Sequence, residues 1–518
     1  MRVSEAISAF LLRNGINDVF GNPGTTELSF IETMKQRYIL TLYDAIAVGA
    51  ADGLSQVDRS PALVNLHAAP GLGHSIGFID TARRNRTPLI VTSGQQDTRH
   101  MKFESLLYGD LISMVSAVTK SATEISRADD AVRSFRDAII TALTPPSGPV
   151  FVSMPMNMME EDCAAADDLI RYETASSGNP AIVADKINRS EKPAIVAGYE
   201  VDVFDAHVEL ATLAERLSAP IYAEPLCSRS PVNSNGQFAG NLLPATTAID
   251  VALSEYDTII LAGADFILYP YMPSPLLGGK NIIYLGSDPS VAGRIPSVYM
   301  MGSIKRILSE LIPKIEKKAR RYARKKDYSM ANRIAKASSV MGAEFVIDAI
   351  RRIFPGHTLV DESVSYSPLV REMGFFRGKD SYFSSRSQQL GWGIAASIGV
   401  GMRRKETVLT IGDGSLMYAP QSLWTLKKYN IPVKIIVLNN HGYGILRSYS
   451  KAYHESLTGI DFLSPDGMDF GLLAGCFGIE ADSVSGPEDL DKKLAWLRDE
   501  EGPSLLNVEM DREVRKIF

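Results

Sequence analysis

The sequence predicts an α/β protein built from three doubly wound domains with mostly parallel sheets. Three observations lead there. Short apolar, β-branched runs recur along the 518 residues, the mark of strands buried on both faces. Helical stretches separate these runs, which is the alternation of parallel α/β units. The chain is also too long for one ordinary hydrophobic core, and two breaks in composition divide it.

The first domain is expected over residues 1–165. Its strands read as Asp18-Val19-Phe20, Leu40-Thr41-Leu42-Tyr43, Ala62-Leu63-Val64-Asn65-Leu66 and Leu89-Ile90-Val91-Thr92. Thr144-Pro145-Pro146-Ser147-Gly148-Pro149 and the strand Val150-Phe151-Val152 mark its end, and acidic residues and alanines from Glu160 to Asp168 read as a crossing linker. The second domain, residues 178–315, carries strands at Ala194–Ala197, Thr258–Ala262 and Ile282–Leu285. Lys314 to Lys326 is strongly basic and reads as a solvated linker helix. The third domain, residues 340–518, carries Thr407–Ile411 and Val433–Leu438, with a short helix expected over Pro420–Tyr429. No short repeat is evident.

Composition narrows the function. The residues are 45% hydrophobic and 22% charged, as in a globular protein, and the net charge of −6 argues against nucleic acid as the main partner. Cys163, Cys227 and Cys476 lie far apart and form no metal-type spacing, so no disulfide framework is expected. The start, Met1-Arg2-Val3-Ser4-Glu5, lacks a signal-peptide pattern, and no apolar run reaches membrane-spanning length. A cytoplasmic location with no membrane partner is expected.

The chemistry concentrates in the third domain. Asp413 lies in Ile411-Gly412-Asp413-Gly414-Ser415, and Asn439-Asn440 closes the next apolar run. Two adjacent strands place Asp413 and Asn440 at one carboxyl edge of a sheet, where open α/β folds bind ligands. Glycines there let backbone approach a phosphate. A carboxylate and an amide oxygen are hard ligands suited to Mg²⁺ bridging to a diphosphate. A lone Gly-Asp-Gly would read as an ordinary turn; the Asn-Asn pair at the end of the next strand makes the pattern specific.

That pattern resembles the cofactor motif of the thiamin-diphosphate enzymes, and the three-domain layout resembles their 2-oxo acid decarboxylases and acetolactate synthases over essentially the whole chain. Within the family, the benzoylformate decarboxylases offer the nearest pattern, through Val19–Leu28, Asn65–Gly71, Ser93–Gln96 and Tyr429–Pro432. The resemblance implies an N-terminal aminopyrimidine-binding domain, a Rossmann-like middle domain and a C-terminal diphosphate-binding domain. It implies Mg²⁺ held by Asp413, Asn440 and the Gly442 carbonyl. Gly412, Gly414 and Ser415 would contact the diphosphate at a helix N-terminus. Gly444 and Ile445 are further implied cofactor contacts, and Ile445, Leu446 and Tyr449 would line the substrate pocket, although helix packing fits their spacing as well. The Gln388 backbone would accept from the aminopyrimidine, with Leu390 as the apolar wedge beneath the bent cofactor.

On the N-terminal side, His67 matches the family's active-site histidine and would move protons. It ends a strand ahead of a Pro-Gly turn and a glycine-rich loop. Thr25 stands where the subgroup has a serine near the substrate carboxylate, and it also suits a helix cap near Glu27. His74 either faces the site or lies in the first turn of a helix after Gly73. The family's activating Glu corresponds to Asp44, which has the same charge but is one methylene shorter; it would otherwise cap the helix Ala45–Gln56. Pro270 replaces a second catalytic histidine. Arg386 would bind a second acidic group on the substrate, or else point to solvent or an ion pair.

The implied activity is thiamin-diphosphate- and Mg²⁺-dependent, non-oxidative decarboxylation of a small-molecule 2-oxo acid, without FAD. An acetolactate synthase-type carboligase and a weakly active or non-catalytic cofactor-binding homologue are the alternatives. A homodimer or homotetramer with active sites at subunit interfaces is implied as well.

Overall fold

The computed structural model describes residues 1–164, 170, 176–233, 237–269, 276–294, 298–318, 329–454 and 467–512. Three six-stranded sheets organise it, and every strand pairing within them is parallel. The first runs in the spatial order Arg37–Leu40, Asp18–Gly21, Ala62–Leu66, Leu89–Gln95, Val150–Pro155, Ala122–Glu124. The second runs Val298–Met301, Asn281–Gly286, Thr258–Ala262, Pro193–Ala197, Ile221–Ala223, Phe238–Asn241. The third runs Tyr382–Ser384, Thr358–Glu362, Thr407–Gly412, Val433–Asn439, Ser504–Glu509, Glu480–Val484. In each sheet the strand order reverses near the middle, which opens a ligand crevice at the carboxyl edge. Central strands such as Leu89–Gln95 and Val433–Asn439 are buried along their whole length, as helix-covered parallel strands require.

The sheets are locked together by helices and by charge. Helix Asp44–Asp58 packs on helix Trp392–Arg403 through small residues, with Gly53 against the Ala396 carbonyl and Gly399 against the Ala50 carbonyl. Fully buried Asp52 spans that seam and accepts from Trp392 Nε1 at 2.7 Å, Asn85 Nδ2 at 2.8 Å and Gln56 Nε2 at 2.9 Å. Where the three segments meet, Arg229 donates to Asp202 and Asp380, and Arg59 and Arg404 also reach Asp380. At the first sheet's open edge, the Tyr429 hydroxyl accepts from Leu40 N at 2.8 Å and donates to the Tyr38 carbonyl at 3.3 Å. A side chain of the third segment thus completes the ladder of an edge strand.

Several sequence expectations shift. The second strand is Arg37–Leu40, paired in register Asp18↔Arg37 to Gly21↔Leu40, whereas the apolar run pointed to Leu40–Tyr43. An edge strand is only partly buried, so its apolar signal is weak, and Thr41–Tyr43 instead leads into the helix that begins at Asp44. The helix after His67 starts at Ala68, so Pro70 and Gly71 lie in its first turn and make no separate turn or loop. Proline is tolerated there because a first-turn N–H has no intrahelical partner. The short helix of the third domain is Ser422–Lys428. Of the basic stretch, Ile312–Lys314 is a 3-10 turn, while residues 319–328 lie outside the described residues.

Candidate active site

The carboxyl ends of the first sheet's strands bring Asn22, Asp44 and His67 together. His67 follows the strand Ala62–Leu66 and sits at the N-cap of the next helix, with its ring about one quarter exposed (25%). Its Nδ1 lies 2.9 Å from Glu27 Oε2. Glu27 is buried and gathers four further donors: Gly24 N at 2.8 Å, Thr26 Oγ1 at 2.6 Å, Gly94 N at 3.0 Å and Ala68 N at 3.3 Å. Acting as acceptor on all sides, the carboxylate accepts a hydrogen bond from Nδ1–H and leaves Nε2 as the free ring nitrogen. A Cβ at Gly24 would stand 2.0 Å from the His67 ring, so only glycine allows this approach.

Asp44 opens the helix Asp44–Asp58 and is 5% exposed. Its carboxylate does not cap that helix. Oδ1 accepts from the His67 backbone N–H at 3.2 Å, and Oδ2 takes a long contact of 3.5 Å from Asn22 Nδ2. His74 Nδ1 stands 3.9 Å from the same Oδ2, on an exposed side chain in the second turn of its helix rather than the first. Thr25 is exposed at the start of the 3-10 turn Thr25–Glu27, with Gly24 in the capping position.

The second half of the site lies at the carboxyl edge of the third sheet. Thr407–Gly412 and Val433–Asn439 are neighbours in register Gly412↔Leu438, so Asp413 and Asn440 emerge side by side. Asp413 is buried, and its Oδ2 accepts from Gly442 N at 2.9 Å. Burial raises its pKa, against the Gly414 and Gly442 amides, which lower it. Asn440 is held by donation from Nδ2 to the Tyr366 hydroxyl at 3.0 Å, which leaves its carbonyl oxygen as the free end. A Cβ at Gly444 would lie 2.8 Å from the Asn440 amide and 3.0 Å from Ser365 Oγ, so a side chain there would fill the cradle. The Gly442 carbonyl accepts from Gly444 N at 2.9 Å and keeps a second lone pair. Gly414 and Ser415 are buried in the four-residue turn Asp413–Leu416. Ile445 is the second residue of the helix Gly444–Tyr453, Leu446 is exposed, and Tyr449 stacks on Tyr269 at 6.0 Å.

These donors fit a hard divalent cation shared with a diphosphate: one carboxylate, one amide oxygen and one backbone carbonyl leave coordination places for phosphate oxygens. Among the described residues no group of three His, Cys, Asp or Glu side chains could hold a metal ion by itself. Nearby, Gln388 adopts a left-handed backbone (φ +59°), Gly391 does likewise (φ +82°), and Leu390 lies between them, half-buried.

No hydrogen bond among the described residues joins Glu27, Asp44 or His67 to Asp413, Asn440 or Gly442. Arg386 belongs to neither group. It is buried, its guanidinium lies 4.3 Å over the Tyr199 ring, and Glu224 and Asp265 are 3.9 and 3.7 Å away. Burial disfavours its charge, but Glu224, Tyr199 and Asp265 outweigh that and raise its pKa. Of the roles open to Arg386, the ion pair is the one realised, because the acidic edge of the middle sheet lies directly opposite. Pro270 lies outside the described residues. Sequence reading passed over Glu27 as a partner of His67, and its only local sign was an acidic residue after Thr25-Thr26 that also suits a helix cap.

Comparison with known proteins agrees with this architecture. Models of the thiamine pyrophosphate enzyme N-terminal TPP binding domain, central domain and C-terminal TPP binding domain match residues 1–115, 181–311 and 368–508. Benzoylformate decarboxylase of Pseudomonas aeruginosa is 31% identical over 98% of both chains. A putative acetolactate synthase large subunit of Mycobacterium tuberculosis is 26% identical over 98% of this chain and 99% of its own. The crystal structure of benzoylformate decarboxylase from Polynucleobacter necessarius superposes with TM-score 0.92 at 27% identity, covering 99% of each chain. Thiamine diphosphate-dependent 4-hydroxybenzoylformate decarboxylase of Rhodococcus jostii gives TM-score 0.92 at 29% identity, over 99% of this chain and 100% of its own.

Proposed function

Because the chain belongs to the thiamine pyrophosphate enzyme family, we propose that it catalyses the Mg²⁺-dependent, non-oxidative decarboxylation of a 2-oxo acid, an aryl-substituted one such as benzoylformate in the first instance. The supporting observation is the Glu27–His67 pair beside Asp44, an oriented base next to a carboxylate at one sheet edge. The cofactor, once bound, supplies the electron-accepting ring that the chemistry needs. Asp413, Asn440 and the Gly442 carbonyl would hold the Mg²⁺, with Gly412, Gly414 and Ser415 at the diphosphate. Gln388, Leu390, Gly444 and Ile445 would complete the cofactor contacts. Asp44 would accept and return the proton that activates the cofactor. His67 would move a proton through its free Nε2, held in orientation by Glu27. Thr25 and His74, both exposed at this edge, would meet the substrate.

With the Asp44 and Asp413 groups sharing no hydrogen bond, a cofactor bridging the N-terminal segment of one subunit and the C-terminal segment of another suits the arrangement. The protein would then act as a homodimer or homotetramer. The domain limits 1–165, 178–315 and 340–518 each enclose one sheet.

The test is release of CO₂ from a panel of 2-oxo acids with saturating thiamin diphosphate and Mg²⁺. Benzaldehyde from benzoylformate supports the reading. Acetolactate from pyruvate would turn it toward carboligation. No product from any acid, with no cofactor heat in calorimetry, would sink it in favour of a non-catalytic homologue.

A further inference from the structure

We propose that Glu362 is a positioning residue of the cofactor site, tying the segment of Gln388 and Leu390 to the sheet edge from which Asp413 emerges; this rests on the cofactor reading above. Glu362 ends the strand Thr358–Glu362 and registers with Ile411 on the strand that leads into Asp413. It is 6% exposed. Oε1 accepts from Gly391 N at 2.6 Å, and Oε2 accepts from Gly393 N.

Helix Trp392–Arg403 has no cap from its own N-cap residue, Gly391. Glu362 therefore supplies, from a neighbouring strand, the acceptor for the free amides at that helix start. Gly391 holds φ at +82°, which sets the direction from which Leu390 enters. One carboxyl thus fixes both the residue after Leu390 and the first turn of the helix Trp392–Arg403. A Cβ at Gly393 would lie 2.8 Å from the Glu362 side chain, so strand and helix approach too closely for any other residue. Burial pushes the Glu362 carboxyl up to about 8, with the Gly393 and Gly391 amides acting the other way and Asp361 adding to the rise.

The experiment titrates wild type and Glu362→Gln with thiamin diphosphate and Mg²⁺, read by tryptophan fluorescence, since Trp392 sits between the two tied amides. The amide keeps the volume but turns an NH₂ group toward one backbone donor. The expected result is a cofactor Kd raised at least about tenfold, with the melting temperature of the cofactor-free protein lowered by a few degrees at most, the cost of one unpaired amide. An unchanged Kd with lowered melting would reduce Glu362 to a purely structural role and overturn the proposal. Should the Gln variant not fold, Glu362→Asp serves: a folded Asp variant with weakened cofactor binding supports the proposal, and wild-type affinity overturns it. Wild-type protein that binds no thiamin diphosphate would bring down the cofactor reading itself, a result distinct from either.

Discussion

Glu27 Oε2 lies 2.9 Å from His67 Nδ1, and the two residues follow neighbouring strands of one sheet, Asp18–Gly21 and Ala62–Leu66. The contact fixes one ring tautomer, so Glu27 acts on chemistry it does not touch. Glu27→Gln replaces an all-acceptor group with one that must present N–H toward its amide donors. Turnover should fall by about 10–100-fold, while His67→Ala should cost about 10²–10⁴-fold, the usual range for a proton-transfer group. Steady-state kinetics with saturating cofactor checks both, and equal losses would contradict a supporting role for Glu27.

Asp44→Asn keeps shape and removes the charge. We expect kcat to fall by about 10²–10⁴-fold with little change in cofactor affinity. Asp44→Glu restores the missing methylene and should turn over faster than wild type. An unchanged or lower rate would count against a reach limit, and crowding would then explain it, because a Cβ at Gly71 already would lie 2.4 Å from Asp44 Oδ1.

The buried pair Arg229–Asp380, with side chains 3% and 4% exposed, sits where the three segments meet. Asp380→Ala leaves Arg229 buried without one of its two carboxylates and should cost about 3–5 kcal/mol in urea denaturation. Burial alone would raise the Asp380 pKa, but the Arg59 hydrogen bond and the Arg229, Arg59 and Arg404 charges lower it overall. A depressed folded pKa contributes stability above the unfolded value of about 3.9. That contribution should fade as pH falls from about 4 down through the lowered folded pKa, and the Ala variant should lack this part of the acid transition.

Tyr429→Phe removes the hydroxyl that serves both Leu40 N and the Tyr38 carbonyl. The loss should be about 1–3 kcal/mol, with faster amide exchange at Leu40. Exchange unaltered at that amide would show that the edge does not depend on this contact.

The placement of Asp413 and Asn440 was legible because its logic is local. Each residue directly follows a buried strand, and glycine and asparagine at strand ends carry the site wherever the strands go. His67 was legible for the same reason. The strand Arg37–Leu40 was harder to read, because an edge strand is only half-buried and leaves no apolar run. Arg386 was ambiguous, because a charged side chain in a loop takes its meaning from whatever packs opposite. Here that is the acidic edge of another sheet.

The sequence by itself determined the α/β class and the placement of Asp413, Asn440 and His67 just past strand ends, since strand periodicity and turn chemistry are short-range. Only the tertiary structure decided that Glu27 lies against His67, that Glu362 takes the Gly391 and Gly393 amides and that Arg386 turns to Glu224 and Asp265. Those are contacts between residues distant in sequence, and a carboxylate's role is set by the donors that folding gathers around it.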